Sequence, residues 1–386
     1  MRILLCNKFY YRRGGDCTYT MNLESLLKER GHEVAVYSMQ YPENEESPWS
    51  GYWPSNMSKL DAFVRPFGSS KVVKGFSRLL DDFRPDVVHL NNIHTQLSPV
   101  IAQIAHERGI KVLWTVHDYK LLCPRYDCLR NGKSCELCFS GDKSHCFRYS
   151  CIKGSKIGSW IGKREAEKWN RERLDSYVDY FVCPSRFMAG KMLQGGFSES
   201  KLVTLHNFID VSKCDTAVSS REPYYCYVGR LSEEKGVRTL LKVAARLPYR
   251  LKVAGDGPLA EELRRGYDGA DNIEFLGRIS GGEVYELMSR SRFSVITSEW
   301  YENNPFSVIE SLCMGTPVVG AEIGGIPELI ADGVGFTFGS GDAASLAEAV
   351  ENAWNAGFDY AAIRSASVAK FSSGAYYDRL MALYGG

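Results

Sequence analysis

The feature that most constrains this chain is an alternation of short apolar runs with stretches of helical periodicity, and it occurs twice. In the first half RILLCN (2–7), HEVAVYSM (32–39), DVVHLNN (86–92), KVLWTVHD (111–118) and YFVCPS (180–185) read as strands. Between them, YTMNLESLLKERG (19–31) and LSPVIAQIAHERG (97–109) repeat apolar residues at helical spacing, and Gly31 supplies a natural helix end. The second half repeats the scheme. YYCYVGR (224–230), YRLKVAGDG (249–257), IEFLGRIS (273–280), FSVITS (293–298) and PVVGAE (317–322) alternate with RTLLKVAARL, GEVYELMSR and FSVIESLCMG. Strands that alternate with helices specify βαβ units and parallel sheets. At 386 residues, the chain exceeds what one core usually supports. The reading is therefore α/β, with two doubly wound, Rossmann-like domains. The polar, turn-rich stretch HNFIDVSKCDTAVSSREP (206–223) is the connector. In such sheets ligands sit beyond the carboxyl ends of the strands, so a cleft between the two domains is the expected site.

Charge and hydropathy exclude several classes. A net charge of +1 lacks the basic excess that nucleic-acid binding needs, so no nucleic-acid partner is expected. No run of about 18 apolar residues exists to span a membrane. The start, MRILLCNKFYY, reads as a first strand and not as an export signal. The expectation is a cytoplasmic protein whose twelve cysteines are thiols or metal ligands.

Several loops at strand ends can meet an anion. In YVGRLSEEKGVRTLL, Arg230 ends a strand and Lys235 opens a helix, where free backbone N–H groups favour negative charge. Two solvated charges on a turn are the alternative. Gly324 and Gly325 in EIGGIPELI form a glycine-rich turn leading into a helix. Gly14 and Gly15 in RRGGDCTYT follow the first strand and can reach the same phosphates. No two aspartates stand two apart, and neither H-E-x-x-H nor a phosphate loop of the Walker kind occurs. Diphosphate charge would thus be met by Arg230, Lys235 and helix ends, with no metal ion or other cofactor required for catalysis.

RRGGDCTYTMNLESLLKERGHEV, GRLSEEKG, GDGP and ENNPFSVIESLCMGTPVVGAEIGGIPELI, in that order, resemble the retaining glycosyltransferases of family 4, which have the GT-B fold. The resemblance covers nearly the whole chain. It implies an acceptor-binding domain over 1–205, a nucleotide-sugar-binding domain over 206–370, and a last helix, about 371–386, packing back on the first. It also implies roles. Glu302 meets the hydroxyls of the donor sugar, and Glu310, two helical turns on, holds the nucleotide ribose. Asn303, Asn304, Phe306 and Ser307 line sugar and phosphate. Arg230 and Lys235 bind the diphosphate, and Ile279 sits by the base. His117 matches the histidine near the reacting centre, with Asp118 and His94 in the acceptor region. The implied catalytic group is His117, Glu302, Arg230 and Lys235. The donor is GDP-mannose or a UDP-hexose, and the acceptor is a glycan or a lipid-linked chain, as in cell-surface polysaccharide biosynthesis.

Two segments fall outside this pattern. Cys135, Cys138, Cys146 and Cys151 read C-x2-C-x7-C-x4-C, a spacing that suits structural zinc; reduced thiols in a packed loop are the alternative. KGSKIGSWIGKREAEKWNRER mixes bases with two tryptophans, as a peripheral contact with the inner face of a membrane would, or as an ordinary packed helix would. Two other functions fit the same features. One is a nucleotide-sugar epimerase of GT-B type. The other is a non-catalytic zinc-binding interaction protein.

Overall fold

The computed structural model describes residues 1–55, 59–214, 220–331 and 333–385. The chain forms two compact units. The first comprises Met1–Arg130, Ser134–His206 and Tyr377–Gly386, the second Asn131–Lys133 and Asn207–Tyr376. Part of the expected connector, 215–219, lies outside the described residues.

The first unit is built on β1 (Arg2–Cys6), β2 (Glu33–Tyr37), β3 (Val87–Leu90) and β4 (Lys111–Thr115). A small separate ribbon follows, β5 (Leu129–Arg130) with β6 (Lys133–Ser134). Then come β7 (Tyr180–Cys183) and β8 (Leu202–Thr204). The six long-range strands pair in parallel in the order β2-β1-β3-β4-β7-β8. Helices cover both faces of such a sheet, so its strands are apolar throughout and do not alternate; Ile3, Leu4, Leu5 and Cys6 are all fully buried. The helix Gly15–Glu29 buries Tyr19, Leu23, Leu26 and Leu27. The helix Ser70–Phe83, capped by Ser69, buries Val72, Phe76, Leu79, Leu80 and Phe83. Each such side chain contributes roughly 1.5–3 kcal/mol of apolar burial. The last helix, Ser373–Gly385, is fastened to the first sheet by polar contacts. Tyr384 Oη lies 2.5 Å from His89 Nδ1, and Lys111 Nζ donates to the Leu383 carbonyl at 2.9 Å.

The second unit carries β9 (Tyr224–Val228), β10 (Arg250–Ala254), β11 (Ile273–Gly277), β12 (Ser294–Ile296), β13 (Val318–Ala321) and β14 (Gly335–Phe338). These are parallel in the order β11-β10-β9-β12-β13-β14. The strand order therefore reverses between β1 and β3 in one sheet and between β9 and β12 in the other. Loops leaving the carboxyl ends of those pairs diverge and open a crevice.

Two local expectations change. Lys235 ends a short 3-10 turn, Glu233–Lys235, and the α-helix begins only at Val237. Gly236 separates them at φ +63°, where a Cβ would lie 1.9 Å from the Thr297 carbonyl oxygen. After Gly325 no α-helix forms; the chain makes one 3-10 turn, Pro327–Leu329, before β14. Too few residues separate that turn from the next strand to build helical turns.

Candidate functional site

In the second unit the loops after β9 and β12 meet at the reversal point. They are laced together by backbone and hydroxyl contacts: Glu299 N–H donates to the Glu234 carbonyl at 2.9 Å, and Thr297 Oγ1 donates to the Lys235 carbonyl at 2.9 Å. This lacing places Lys235 Nζ 2.5 Å from Glu302 Oε1. Ser298 Oγ and Trp300 Nε1 donate to the same oxygen at 2.6 and 2.9 Å. Glu302 is buried, 7% exposed. Burial pushes its pKa up, but the Lys235 charge and the three hydrogen bonds outweigh this and hold the carboxyl below its ordinary value. A buried carboxylate with a cation and two neutral donors remains ionised and fixed in orientation.

The backbone of Glu302 is equally constrained. Its carbonyl accepts from Gly325 N–H at 2.7 Å. Gly324 sits against it at φ +62°, and a Cβ there would come within 2.1 Å of that carbonyl oxygen. The glycine pair expected to approach a ligand thus serves first to seat Glu302.

Helix Phe306–Cys313 follows, with Pro305 at its N-cap. Phe306 and Ser307 open its first turn, where backbone N–H groups lack intrahelical partners. Val308, Ile309 and Leu312 pin one face to the core. Glu310 lies on the other face, half-buried, with no hydrogen-bond or ion-pair partner among the described residues. Burial alone raises its pKa to about 7. Asn304 is clasped by Asn207: its Oδ1 accepts from Asn207 N–H and its carbonyl from Asn207 Nδ2, both at 2.8 Å, contacts that leave its expected backbone N–H role untouched. Asn303 is half-buried beside it. Arg230 is exposed just beyond β9, and Ile279 is half-buried just beyond β11. Every expected donor residue of this unit thus lies at or beyond the carboxyl edge of one sheet.

In the first unit, Gly14 caps the helix after β1 and Gly15 is its first residue. His94 follows β3, and His117 with Asp118 follow β4. His94, His117 and Asp118 line one small pocket with Asn91, Asn92 and Trp114. His117 Nε2 lies 3.0 Å from Asn91 Oδ1. An amide oxygen only accepts, so the proton sits on Nε2 and Nδ1 is the basic nitrogen. Burial lowers the His117 pKa to about 4, against an opposing pull from Asp16. The imidazole is neutral at pH 7. Burial raises the pKa of Asp118, countered by Lys8 and by the Lys120 N–H bond. His94 stacks on Trp114 and is buried, which pushes its pKa well down.

Sequence reasoning passed over Asp16, Lys8 and Asn91 around His117, and Ser298 and Trp300 around Glu302. All five follow strand ends, so position relative to the strands was the available signal.

The four cysteines Cys135, Cys138, Cys146 and Cys151 line a small pocket with Cys123 and His145. Among the described residues, no group of three or more His, Cys, Asp or Glu side chains is placed to hold a metal ion.

Comparison with known proteins agrees with this architecture. The family model for Glycosyltransferase Family 4 matches residues 13–213, and that for Glycosyl transferases group 1 matches 210–366. An uncharacterized 42.6 kDa protein in the cps region of Klebsiella pneumoniae is 24% identical over 353 residues, covering 85% of this chain and 87% of the relative. The O-antigen biosynthesis glycosyltransferase WbnH of Escherichia coli is 28% identical over 322 residues, covering 82% and 80%. In structure, Anabaena Alr3699/HepE in complex with UDP-glucose superposes with a TM-score of 0.65 at 16% identity, covering 99% of this chain and 98% of that one. The fold is GT-B. The chain belongs to the group 1, family 4 glycosyltransferases and is a glycosyltransferase.

Proposed function

We propose that this enzyme moves a hexose from a nucleotide-diphosphate sugar to a glycan or lipid-linked acceptor, with retention and without a metal ion, in cell-surface polysaccharide biosynthesis. The observation that carries this reading is the pair of carboxylates at one sheet edge. Glu302, on the loop before the helix, is ionised and locked; Glu310, inside the helix, has no hydrogen-bond or ion-pair partner among the described residues. Names of the relatives support the pathway class: one lies in a cps region and another serves O-antigen biosynthesis. UDP-glucose in the Anabaena structure supports a UDP-hexose donor; GDP-mannose is the other candidate.

In this reading the second unit binds the donor. Sugar hydroxyls donate to Glu302 and the ribose hydroxyls to Glu310. Arg230, Lys235 and the N–H groups of Phe306 and Ser307 face the diphosphate. Cleavage of the sugar–phosphate bond develops negative charge on the leaving phosphate and positive character on the sugar. Fixed cations and helix N–H groups stabilise the first where it develops. The leaving phosphate oxygen takes the acceptor hydroxyl's proton on the same face, which yields retention. His117, neutral at pH 7, and Asp118 belong to the acceptor side in the first unit.

The test is a thermal-shift screen with UDP- and GDP-sugars, followed by transfer assays on the donor that stabilises, because a ligand of the folded state alone raises its stability. An anomeric product of inverted configuration, or isomerisation without transfer, would replace this reading.

A further inference from the structure

Helix Lys156–Lys168 of the first unit carries side chains that neither packing nor sugar transfer uses. It is held firmly from behind. Buried Glu165 pairs with Lys120 at 2.8 Å, Lys168 Nζ donates to the Phe67 carbonyl at 2.6 Å, and Trp169 Nε1 to the Pro66 carbonyl at 2.8 Å. Its N-terminal half faces outward. Ile157 and Trp160, one turn apart, are 65% and 50% exposed. Phe147 joins them at 39%, with the Lys156 ammonium 5.1 Å over its ring.

The charge around these residues is mostly positive, with exposed Asp142 near Arg148 as the neighbouring acid. From Lys143 to Arg164 the chain carries six lysines and arginines and no acid. Four of the six are engaged: Lys163 and Arg164 pair with Glu167, Lys143 donates to the Leu122 and Cys138 carbonyls, and Lys156 donates to the Phe147 and Arg148 carbonyls. Arg148 and Lys153 remain; with Lys156 they are exposed and have no ion pair to an acid among the described residues. An aromatic and aliphatic patch bordered by exposed cations that form no ion pair with an acid among the described residues matches one partner chemistry, the surface of an anionic bilayer. Tryptophan favours the headgroup level, and lysine and arginine meet lipid phosphates. A protein partner would need a complementary acidic surface of defined shape, and nothing about this convex helix face selects one.

We propose that this face docks the enzyme on an anionic lipid bilayer. Phe147, Ile157 and Trp160 enter the headgroup–acyl boundary, and Arg148, Lys153 and Lys156 meet the phosphates. The proposal goes beyond the transfer reaction and depends on no donor chemistry. Its test therefore fails or succeeds separately from the donor screen. Full-length protein is sedimented with vesicles of phosphatidylcholine alone and with vesicles containing 30% phosphatidylglycerol, at low and high salt. Binding should require phosphatidylglycerol and fall steeply with salt. Lys153→Glu with Lys156→Glu should weaken it by at least roughly tenfold, since each cation contributes roughly fivefold. Trp160→Ser should weaken it about as much while leaving the circular dichroism and melting point unchanged, because the residue is exposed. Equal binding to both vesicle types, or unchanged binding by both variants, overturns the proposal. So does a dimer that these variants dissociate in the absence of vesicle binding, which would assign the face to a second copy of the chain.

Discussion

The sharpest consequence of the site concerns Glu310 and pH. Its carboxyl is raised from 4.5 to about 7 by burial alone. In full, such a difference corresponds to roughly 3 kcal/mol of disfavoured charge. The group keeps some contact with water, so about 1–2 kcal/mol is the realistic cost. The sign follows from proton counts. Between pH 4.5 and 7 the unfolded chain has lost this proton while the folded enzyme keeps it. Stability must therefore fall as pH rises through that window. Glu310→Gln should remove this fall: the variant should match wild type near pH 4.5 and exceed it by about 1–2 kcal/mol at pH 8. Donor binding reverses the logic. In the proposed reading ribose hydroxyls donate to the ionised form, so the bound enzyme would release the proton and affinity should rise with pH until about 7. One pH unit below that value the site is about one-tenth ionised, and donor affinity at pH 6 should be about tenfold weaker than at pH 8. A nucleotide-sugar diphosphate is a diester without an ionisation in this range, so the titration belongs to the protein. Calorimetric titration of the intact donor at pH 6, 7 and 8 measures it. Glu310→Gln should lose the slope and, at pH 8, about 1.5–3 kcal/mol of affinity. A pH-independent wild-type affinity, or the same slope in the variant, would show that Glu310 does not hold the donor.

Other outcomes follow from the same geometry. Glu302→Gln should lower kcat more than it raises the donor KM, because the charge matters most as positive character develops on the sugar; steady-state kinetics with varied donor decides, and an intact kcat would reverse the two roles. Lys235→Ala leaves Glu302 buried without its cation, and Arg230→Ala removes an exposed phosphate contact; both should weaken donor binding, Lys235→Ala more, and unchanged kinetics in both would place the diphosphate elsewhere. Gly324→Ala should destabilise the second unit by more than about 1 kcal/mol, since a side chain there meets both an unfavourable φ and the Glu302 carbonyl; an unshifted melting point would refute that account. Turnover should survive EDTA, and activity restored specifically by Mg²⁺ or Mn²⁺ would show that a metal takes part.

The sheets were legible because parallel strands buried on both faces leave unbroken apolar runs, and every such run quoted from the sequence holds a strand. Two of the four edge strands, β8 and β14, were not, for a related reason: Leu202, Val203, Thr204 and Gly335, Phe336, Thr337 are only half-buried, so selection for apolar residues there is weak. Helix Ser70–Phe83 has a clear apolar stripe, yet the irregular residues before it hid its start. Within the site, what is local was readable and what is topological was not. Glu302, Pro305 and Glu310 declare a loop entering a helix. The partnership of Glu302 with Lys235 spans 67 residues and exists only because β12 pairs with β9. The clasp of Asn304 by Asn207 spans 97 residues and fixes the loop that carries it. For Lys235, the stretch SEEKGV looked like a helix start; Gly236 interrupts it because the Thr297 carbonyl occupies the space a side chain would need.

The stretch ENNPFSVIE holds two acids in opposite electrostatic states, and the difference originates in backbone geometry. Glu302 precedes the helix, where the chain is still free to bend. Gly324 allows its backbone to press against a neighbouring turn, and that approach delivers its carboxylate to Lys235, Ser298 and Trp300. Glu310 lies inside the helix, where every backbone group is committed and the side chain emerges from a face flanked by the core. No cation reaches it. A site that binds a sugar nucleotide benefits from this asymmetry. If Glu302 lies near the breaking bond, as proposed, it must be charged and oriented before substrate arrives, because reorganisation at that moment would add to the barrier. The carboxylate at the ribose can wait, since binding itself supplies the hydrogen-bond donors that it lacks. The cost of leaving Glu310 unsatisfied in the free enzyme is small against the stability of a domain, and under the proposed function it would be returned as affinity for the ribose hydroxyls.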